Sequence, residues 1–303
     1  MYPVREIIIF HAESPLHPGS GDNVGHVDNP IQREKATGIP IVQANGVKGA
    51  LREYFEDVPN KDQNKIDAIF GTDNGDDGAG AISFGEARLL FFPVRSLAGV
   101  FAYITCPSVI NRFQRDLAAC NKGKITVTAS VDVWNPIVLK DQYLAHSQSI
   151  VDISNNNILI LEEFDFKKDP SNNIDKLLEV LANSLFPNLP EYKPFKDNFA
   201  RRVVILNDSD CIYFVKYSTE VEPHNRIGEN GTVDKRTGVW YTEYLPAESI
   251  LYAPLFIGEP KVNKVFNNPS EVNTFIKMLN GQRTWLGGDR TTGKGMVMMH
   301  FYL

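Results

Sequence analysis

Apolar residues fall along this chain in short runs separated by polar, turn-marked stretches. "VREIIIFHAE" (Val4 to Glu13) is β-branched and almost continuously apolar, the pattern of a strand covered on both faces. "SPLHPGSGDN" follows and reads as loop. In "IPIVQANGVKGALREYFEDV" the residues Val47, Leu51, Tyr54 and Phe55 recur at helical spacing, with Asn45 or Gly46 placed to start the helix. "GAGAISFGEARLLFFPV" returns to a strand pattern, with a bulge expected at Gly85.

The C-terminal part repeats this order. "ESILYAPLFIG" is strand-like, and "NNPSEVNTFIKMLNG" predicts a helix with Asn268 as N-cap, Pro269 at the first position and Gly281 just past the end. "TWLGGDRTTGKG" is a glycine-rich loop between that helix and a final strand, "MVMMHFYL". The outline is β-α-β, a long middle, then β-α-β, which predicts an α+β, ferredoxin-like (RRM-like) sheet split by insertions. In the middle, "SVINRFQRDLAAC" and "NIDKLLEVLANSLF" look helical, while "KITVTASVDVW", "NNILILEEFDF" and "RRVVILNDSDCIYFVKY" look like strands. "STEVEPHNRIGENGTVDKRTGVWYTEYLP" is polar, charged and turn-marked between apolar strands, so it reads as a protruding hairpin or flexible arm. No linker demands a second domain, and no repeat has a solenoid period.

Composition narrows the function classes. The chain has 303 residues, 43% of them hydrophobic, enough for a sizeable core. No run of about 18 apolar residues is present, so no membrane span is expected. No basic segment with a cleavage site precedes "REIIIF", so no signal peptide is expected. Cys106, Cys120 and Cys211 are odd in number and far apart, which fits reduced, buried thiols in a cytoplasmic protein. The net charge is -6, from 37 acidic and 31 basic side chains, so total charge gives nucleic-acid binding no support; local basic patches decide that question.

Gly287, Gly288, Gly293 and Gly295 form the densest glycine cluster, "LGGDRTTGKG". It lacks the glycine spacing of a P-loop and the Ser or Thr after Lys294. Either it is a tight connection, or its amides with Arg290 and Lys294 approach a phosphate chain. Lys48 and Arg52 lie four residues apart on one helix face: a solvated polar face, or phosphate contacts near a helix N-terminus. Asp28 is a lone loop carboxylate, ordinarily a turn-former. His17 and His26 could be ligands or bases, but make no metal motif, and no HExxH, CxxC or GxSxG occurs.

The run "ESPLHPGSGDNVGHVDNPIQREKATGIPIVQANGVKGALREYF" resembles the N-terminal signature of the repeated backbone subunit of type III-B CRISPR effectors (the Cmr complex), part of the RAMP superfamily. The likeness continues through "GAISFGEARLLFFPVRSLAGVFAYITCPSVINRF" and "WYTEYLPAESILY" to "LGGDRTTGKGMV", and so covers most of the chain. It implies one domain: a ferredoxin-like palm from about 1–93 and 246–303, inserted fingers and a helical region about 94–218, and a β-hairpin thumb about 219–245. It implies head-to-tail copies along a CRISPR RNA, joined by other Cmr subunits, that cut paired target RNA at regular intervals. Asp28 matches the family's cutting aspartate, with a weakly bound divalent metal, Mg²⁺ or Mn²⁺, completed by RNA phosphates. His17 would act as acid or base, with Glu243 and Tyr244 as site neighbours. Gln32, Arg33, Lys48, Arg52, Arg226, Arg290, Lys294 and the four glycines would face RNA. The chain departs from the family at Asn45 and Gly46, where hydroxyl residues are common, and at Asn29, where an apolar residue is usual. The alternative is a scaffold that coats guide RNA without cutting; a metabolic enzyme lacks any cofactor fingerprint.

Overall fold

The computed structural model describes residues 2–21, 25–72, 78–120, 138–153, 157–170, 173–228, 232, 238–262 and 264–302. Strand β1 (Val4–Ala12) is buried on both faces beyond its first two residues. It pairs antiparallel with β12 (Ile250–Ile257) on one side and β14 (Met296–Phe301) on the other. Beyond β12 lies β4 (Ala87–Arg95), and beyond β14 lies β13 (Arg283–Trp285). The sheet then extends from β4 through β5 (Phe101–Thr105), β9 (Val203–Leu206), β6 (Gln142–Ala145), β8 (Phe164–Lys168) and β7 (Ile158–Leu161). Two short strands complete the twelve: β2 (Ile41–Val42) on β4 and β3 (Ile82–Phe84) on β12.

Successive strand side chains point to opposite faces, so Glu6 and His11 mark the two sides of β1. On the Glu6 side lie α1 (Ala44–Asp57), which follows β1, and α7 (Pro269–Ile276), which follows β12. Asn273 and Lys277 reach Glu6, and Phe275 stacks on Phe55 with ring centres 5.0 Å apart. On the His11 side lie α3 (Pro107–Ala119) and α4 (Asp175–Leu185): Phe113 packs on Tyr252, and Phe186, just after α4, packs on His11. A separate two-stranded sheet of β10 (Glu220–Asn225) and β11 (Val239–Tyr244) forms a hairpin. Among the described residues no helix is long and apolar enough to cross a membrane.

Several expectations need correction. α1 starts at Ala44 with Gln43 as N-cap, and Asn45 instead accepts from the Gly46 N–H. "GAGAISFGEARLLFFPV" is two strands, not one with a bulge; both pair with β12, and the break at Gly85 faces Pro254, which has no N–H to donate. "RRVVILNDSDCIYFVKY" is β9 followed by a helix, α6 (Asp208–Tyr217), because Asn207 caps the Asp210 N–H and Cys211, Phe214 and Val215 bury one helical face. The glycine-rich loop follows β13, so it joins two strands of a hairpin rather than a helix to a strand. The segment "KITVTASVDVW" lies outside the described residues.

His11 is fully buried and donates from Nε2 to the Leu185 carbonyl, 2.9 Å away. Burial holds its pKa down to about 4, and holds that of His300 down to about 4. Both lie below the unfolded value, so between pH 6.5 and 4 the unfolded chain binds more protons and stability falls as pH falls, by up to about 3 kcal/mol per histidine. Urea midpoints measured across this window should drop towards pH 4, and the drop should be smaller in His11→Phe; an equal drop would show that His11 is not a source of the loss.

Candidate functional site

β11 pairs with β10 along one edge, and its other edge must find partners elsewhere. The loop after β1 supplies them. The Tyr241 N–H donates to Oδ2 of Asp28 at 2.7 Å, and the Tyr241 carbonyl accepts from the Asn29 N–H at 3.0 Å. The Glu243 N–H donates to the Asn29 carbonyl at 3.0 Å, and the Glu243 carbonyl accepts from Nδ1 of His17 at 2.7 Å. Leu245 and Leu16 exchange a pair of 2.8 Å backbone bonds. Asp28 and His17 therefore anchor two residues apart on one strand edge, about 7 Å along it.

The Glu243 side chain locks this arrangement from inside. Its buried carboxylate accepts from the Arg33 guanidinium at 2.5 Å, from the Thr219 hydroxyl at 2.8 Å and from the Ile31 N–H at 3.0 Å. Arg33 also donates to the Gly38 and Val215 carbonyls. Gln32 bridges the Gly19 carbonyl and the Gln43 N–H. Both side chains, expected on RNA, thus brace the loop within the protein.

The glycine-rich loop seats against the same segment. The Gly288 N–H donates to the His17 carbonyl, and the Gly295 N–H to the Pro15 carbonyl, both at 2.8 Å. Gly287 has φ +79°, and a Cβ there would stand 2.3 Å from the His17 carbonyl oxygen; at Gly295, φ is +90° and a Cβ would stand 2.5 Å from that of Leu286. No L side chain fits either position. Around the hairpin base, the His17 ring meets Tyr244 edge-on at 5.5 Å, and Lys294 sits over the Tyr244 ring at 4.4 Å while pairing with Glu222. The Tyr244 hydroxyl donates to Asp289 at 2.9 Å and accepts from Nε2 of His224 at 3.2 Å. Burial, with the Asp289 carboxylate next, pushes the Tyr244 pKa well up and keeps the phenol protonated.

A model of the RAMP superfamily matches residues 9–297. The chain belongs to the RAMP superfamily. It is 36% identical over 296 residues (96% of this chain, 93% of the relative) to the CRISPR system Cmr endoribonuclease Cmr4 of Pyrococcus furiosus. It is 24% identical to the CRISPR system CMR subunit Cmr4 of Saccharolobus solfataricus, over 99% of this chain and 97% of that protein. The crystal structure of oligomeric Cmr4 from Pyrococcus furiosus superposes with a TM-score of 0.73 at 29% identity, covering 98% and 97% of the two chains. A chain of the type III-B Cmr-beta complex bound to cognate target RNA shares the fold, with a TM-score of 0.72 at 21% identity and 99% and 98% coverage.

In this RAMP chain Asp28, His17, Glu243, Tyr244, Lys294 and the glycine loop meet at the hairpin base. Arg290 pairs with Glu53 of α1 at 2.6 Å and lies over Trp285, which ties the glycine loop to that helix. On α1, Arg52 is spent on Glu56, Asp67 and the Gly71 carbonyl. Lys48 is half-buried and has no hydrogen-bonding or ionic partner among the described residues; burial and then the Arg52 charge lower its pKa. Arg226 is exposed just after β10. Sequence reasoning passed over Asp289, His224, Glu222, Thr219 and Tyr241. Tyr241 carried no signal, because it contributes a backbone N–H, whereas Asp289 lay in plain view between the glycines. Among the described residues no group of three or more His, Cys, Asp or Glu is placed to hold a metal ion.

Replacing Glu243 with Ala strands the Arg33 charge and leaves the Ile31 N–H unpaired, a cost of about 3 kcal/mol. In a double-mutant cycle with Arg33→Ala, the two losses should overlap by more than about 1 kcal/mol. Additive losses in denaturant unfolding would show that the pair does not act as one brace.

Proposed function

We propose that this chain is the target-RNA-cleaving backbone subunit of a type III-B CRISPR effector, with Asp28 as the cutting residue. The carrying observation is that the loop acid and a histidine are both fixed on one hairpin edge, in a chain 36% identical to a relative named as an endoribonuclease. In this reading β14-β1-β12-β4, with α1 and α7, is the ferredoxin-like palm of residues 1–93 and 246–303; residues 94–218 form the fingers and residues 219–245 the thumb. The strand order and the two helix crossovers support that assignment. Copies stack head to tail along CRISPR RNA with other Cmr subunits, and the guide selects the target by base pairing.

Pinned through Oδ2, Asp28 turns its other oxygen to the target strand, where it orients or deprotonates the attacking 2′-OH. A carbonyl only accepts, so Nδ1 of His17 carries the proton held against Glu243, and in the neutral imidazole the lone pair is on Nε2. Nε2 is then the nitrogen that takes up or returns a proton at the reacting group. A divalent ion, Mg²⁺ or Mn²⁺, would reach Asp28 held mostly by RNA phosphate oxygens. Lys48, unpaired among the described residues, is the favoured phosphate contact on α1, and Arg226 the one on the hairpin.

Asp28→Ala should slow cleavage of labelled complementary RNA by at least about 100-fold, roughly 2.7 kcal/mol of transition-state stabilisation, with target binding unchanged. Asp22→Ala, a position outside the described residues, is the control. Full activity of the Asp28→Ala complex would leave a guide-coating scaffold. Lys48→Ala should lower the log–log salt slope of guide binding by about 0.7. Arg52→Ala should instead lower thermal stability, since its donors hold α1 to α2 (Gln63–Phe70); an unaltered slope for Lys48→Ala would place that side chain away from RNA.

A further inference from the structure

The turn between β4 and β5 holds an apolar knob. Leu97 is 71% exposed and Val100 77% exposed, although the backbone beneath them is firmly held. The Ser96 N–H donates to the Val100 carbonyl, the Leu97 N–H to Ile160, and Arg202 to the Gly99 and Phe101 carbonyls. Val100 has φ +76°, a left-handed conformation that a β-branched residue adopts only at a cost. Its side chain gains little inside the chain to offset that cost. A rigid turn that carries two exposed aliphatic side chains, one of them strained, is shaped for a contact outside its own chain.

A matching receptor lies elsewhere on the same molecule. Beside α7 is an open groove of about 660 Å³, floored by Phe266 and Phe275 and walled by Val265 and Met278, the last 61% exposed. Its rim carries Glu271, whose charge is met among the described residues by the neutral amides of Asn267 and Asn268, which hold its pKa low. The nearby cations are already matched: Lys65, over the Phe275 ring, pairs with Asp62, and Lys277 pairs with Glu6. The knob brings the complement, because Arg95 beside it is exposed and has no anionic partner among the described residues.

We propose that the Leu97–Val100 knob of one copy seats in the α7 groove of the next, with Arg95 facing Glu271. Knob and groove are different patches, so the contact is heterologous: it leaves a free knob at one end and a free groove at the other, and it propagates. The proposal gives the head-to-tail stacking of the functional reading a specific contact, and rests on that reading only for the order of copies.

The test uses the full chain, whose native cysteines are buried. A variant with both Leu97→Cys and Met278→Cys, treated with a short bis-maleimide, should give a ladder of covalent oligomers. Each single variant should stay uncrosslinked, whereas an equal mixture of the two should give covalent dimers. Dimers from a single variant would mean a symmetric contact, and the absence of a ladder, or crosslinks only to other subunits in the co-expressed complex, would overturn the proposal. Leu97→Asp, a surface change that leaves the fold intact, should weaken self-association by at least about tenfold in sedimentation, the effect of removing one anchored interface side chain; unchanged association would also overturn it. RNA cleavage that still depends on Asp28 in a complex lacking this contact would preserve the functional reading while removing this one.

Discussion

A strand at the edge of a sheet exposes backbone donors and acceptors that must be paired, and the outer edge of β11 is where this protein meets that requirement. The residues that fill it are Leu16, His17, Asp28 and Asn29. Fixing a catalytic candidate and satisfying a backbone are therefore one event. Asp28 is held by an N–H that needed an acceptor, and His17 by a carbonyl that needed a donor. The Glu243 carboxylate, reached by Arg33 from the loop and by Thr219 from the start of the hairpin, makes the edge pairing a single rigid joint.

The glycine loop adds a second layer to that joint. Its peptide groups occupy space that any β-carbon at Gly287 or Gly295 would fill, and two of its amides bind carbonyls of the loop after β1. Charge inside the layer is nearly balanced: Glu222 meets Lys294, Glu243 meets Arg33, and Asp289 accepts a hydrogen bond from the Tyr244 hydroxyl. Several cations that read as phosphate contacts are therefore already committed. Under the proposed function, Lys48 and Arg226 are the phosphate-contact candidates without an ionic partner among the described residues.

The parts of the fold legible in the sequence were those with strong local signals. β1 announced itself by an unbroken apolar run, and α7 by the Asn268 cap with Pro269 behind it. Phe55 and Val47 marked the buried face of α1. The failures came where a local signal was overridden or split. "VVILNDSDCIYFVKY" is apolar enough for a strand, yet Asn207 caps a helix halfway through it. β13 is three residues long and is defined by its partner rather than by its own composition. For the site, Asp28, His17 and Lys294 were legible as residues, but not their roles as neighbours. The ion pairs of Arg33 and Arg52 were not legible, because charge type is visible in a sequence and ion-pair partners are not. Distant carboxylates at Glu243 and Asp67 claim them.

The joint between the loop after β1, the hairpin and the glycine loop is also a statement about time. His17 and Lys294 are 277 positions apart (294 minus 17), and both lie against Tyr244. A ribosome making this chain must release residue 294 from its exit tunnel before the three parts can close. Until then the edge of β11 can take up Asp28 and Asn29, but the glycine layer over His17 is missing. The joint is thus completed only after nearly the whole chain has emerged.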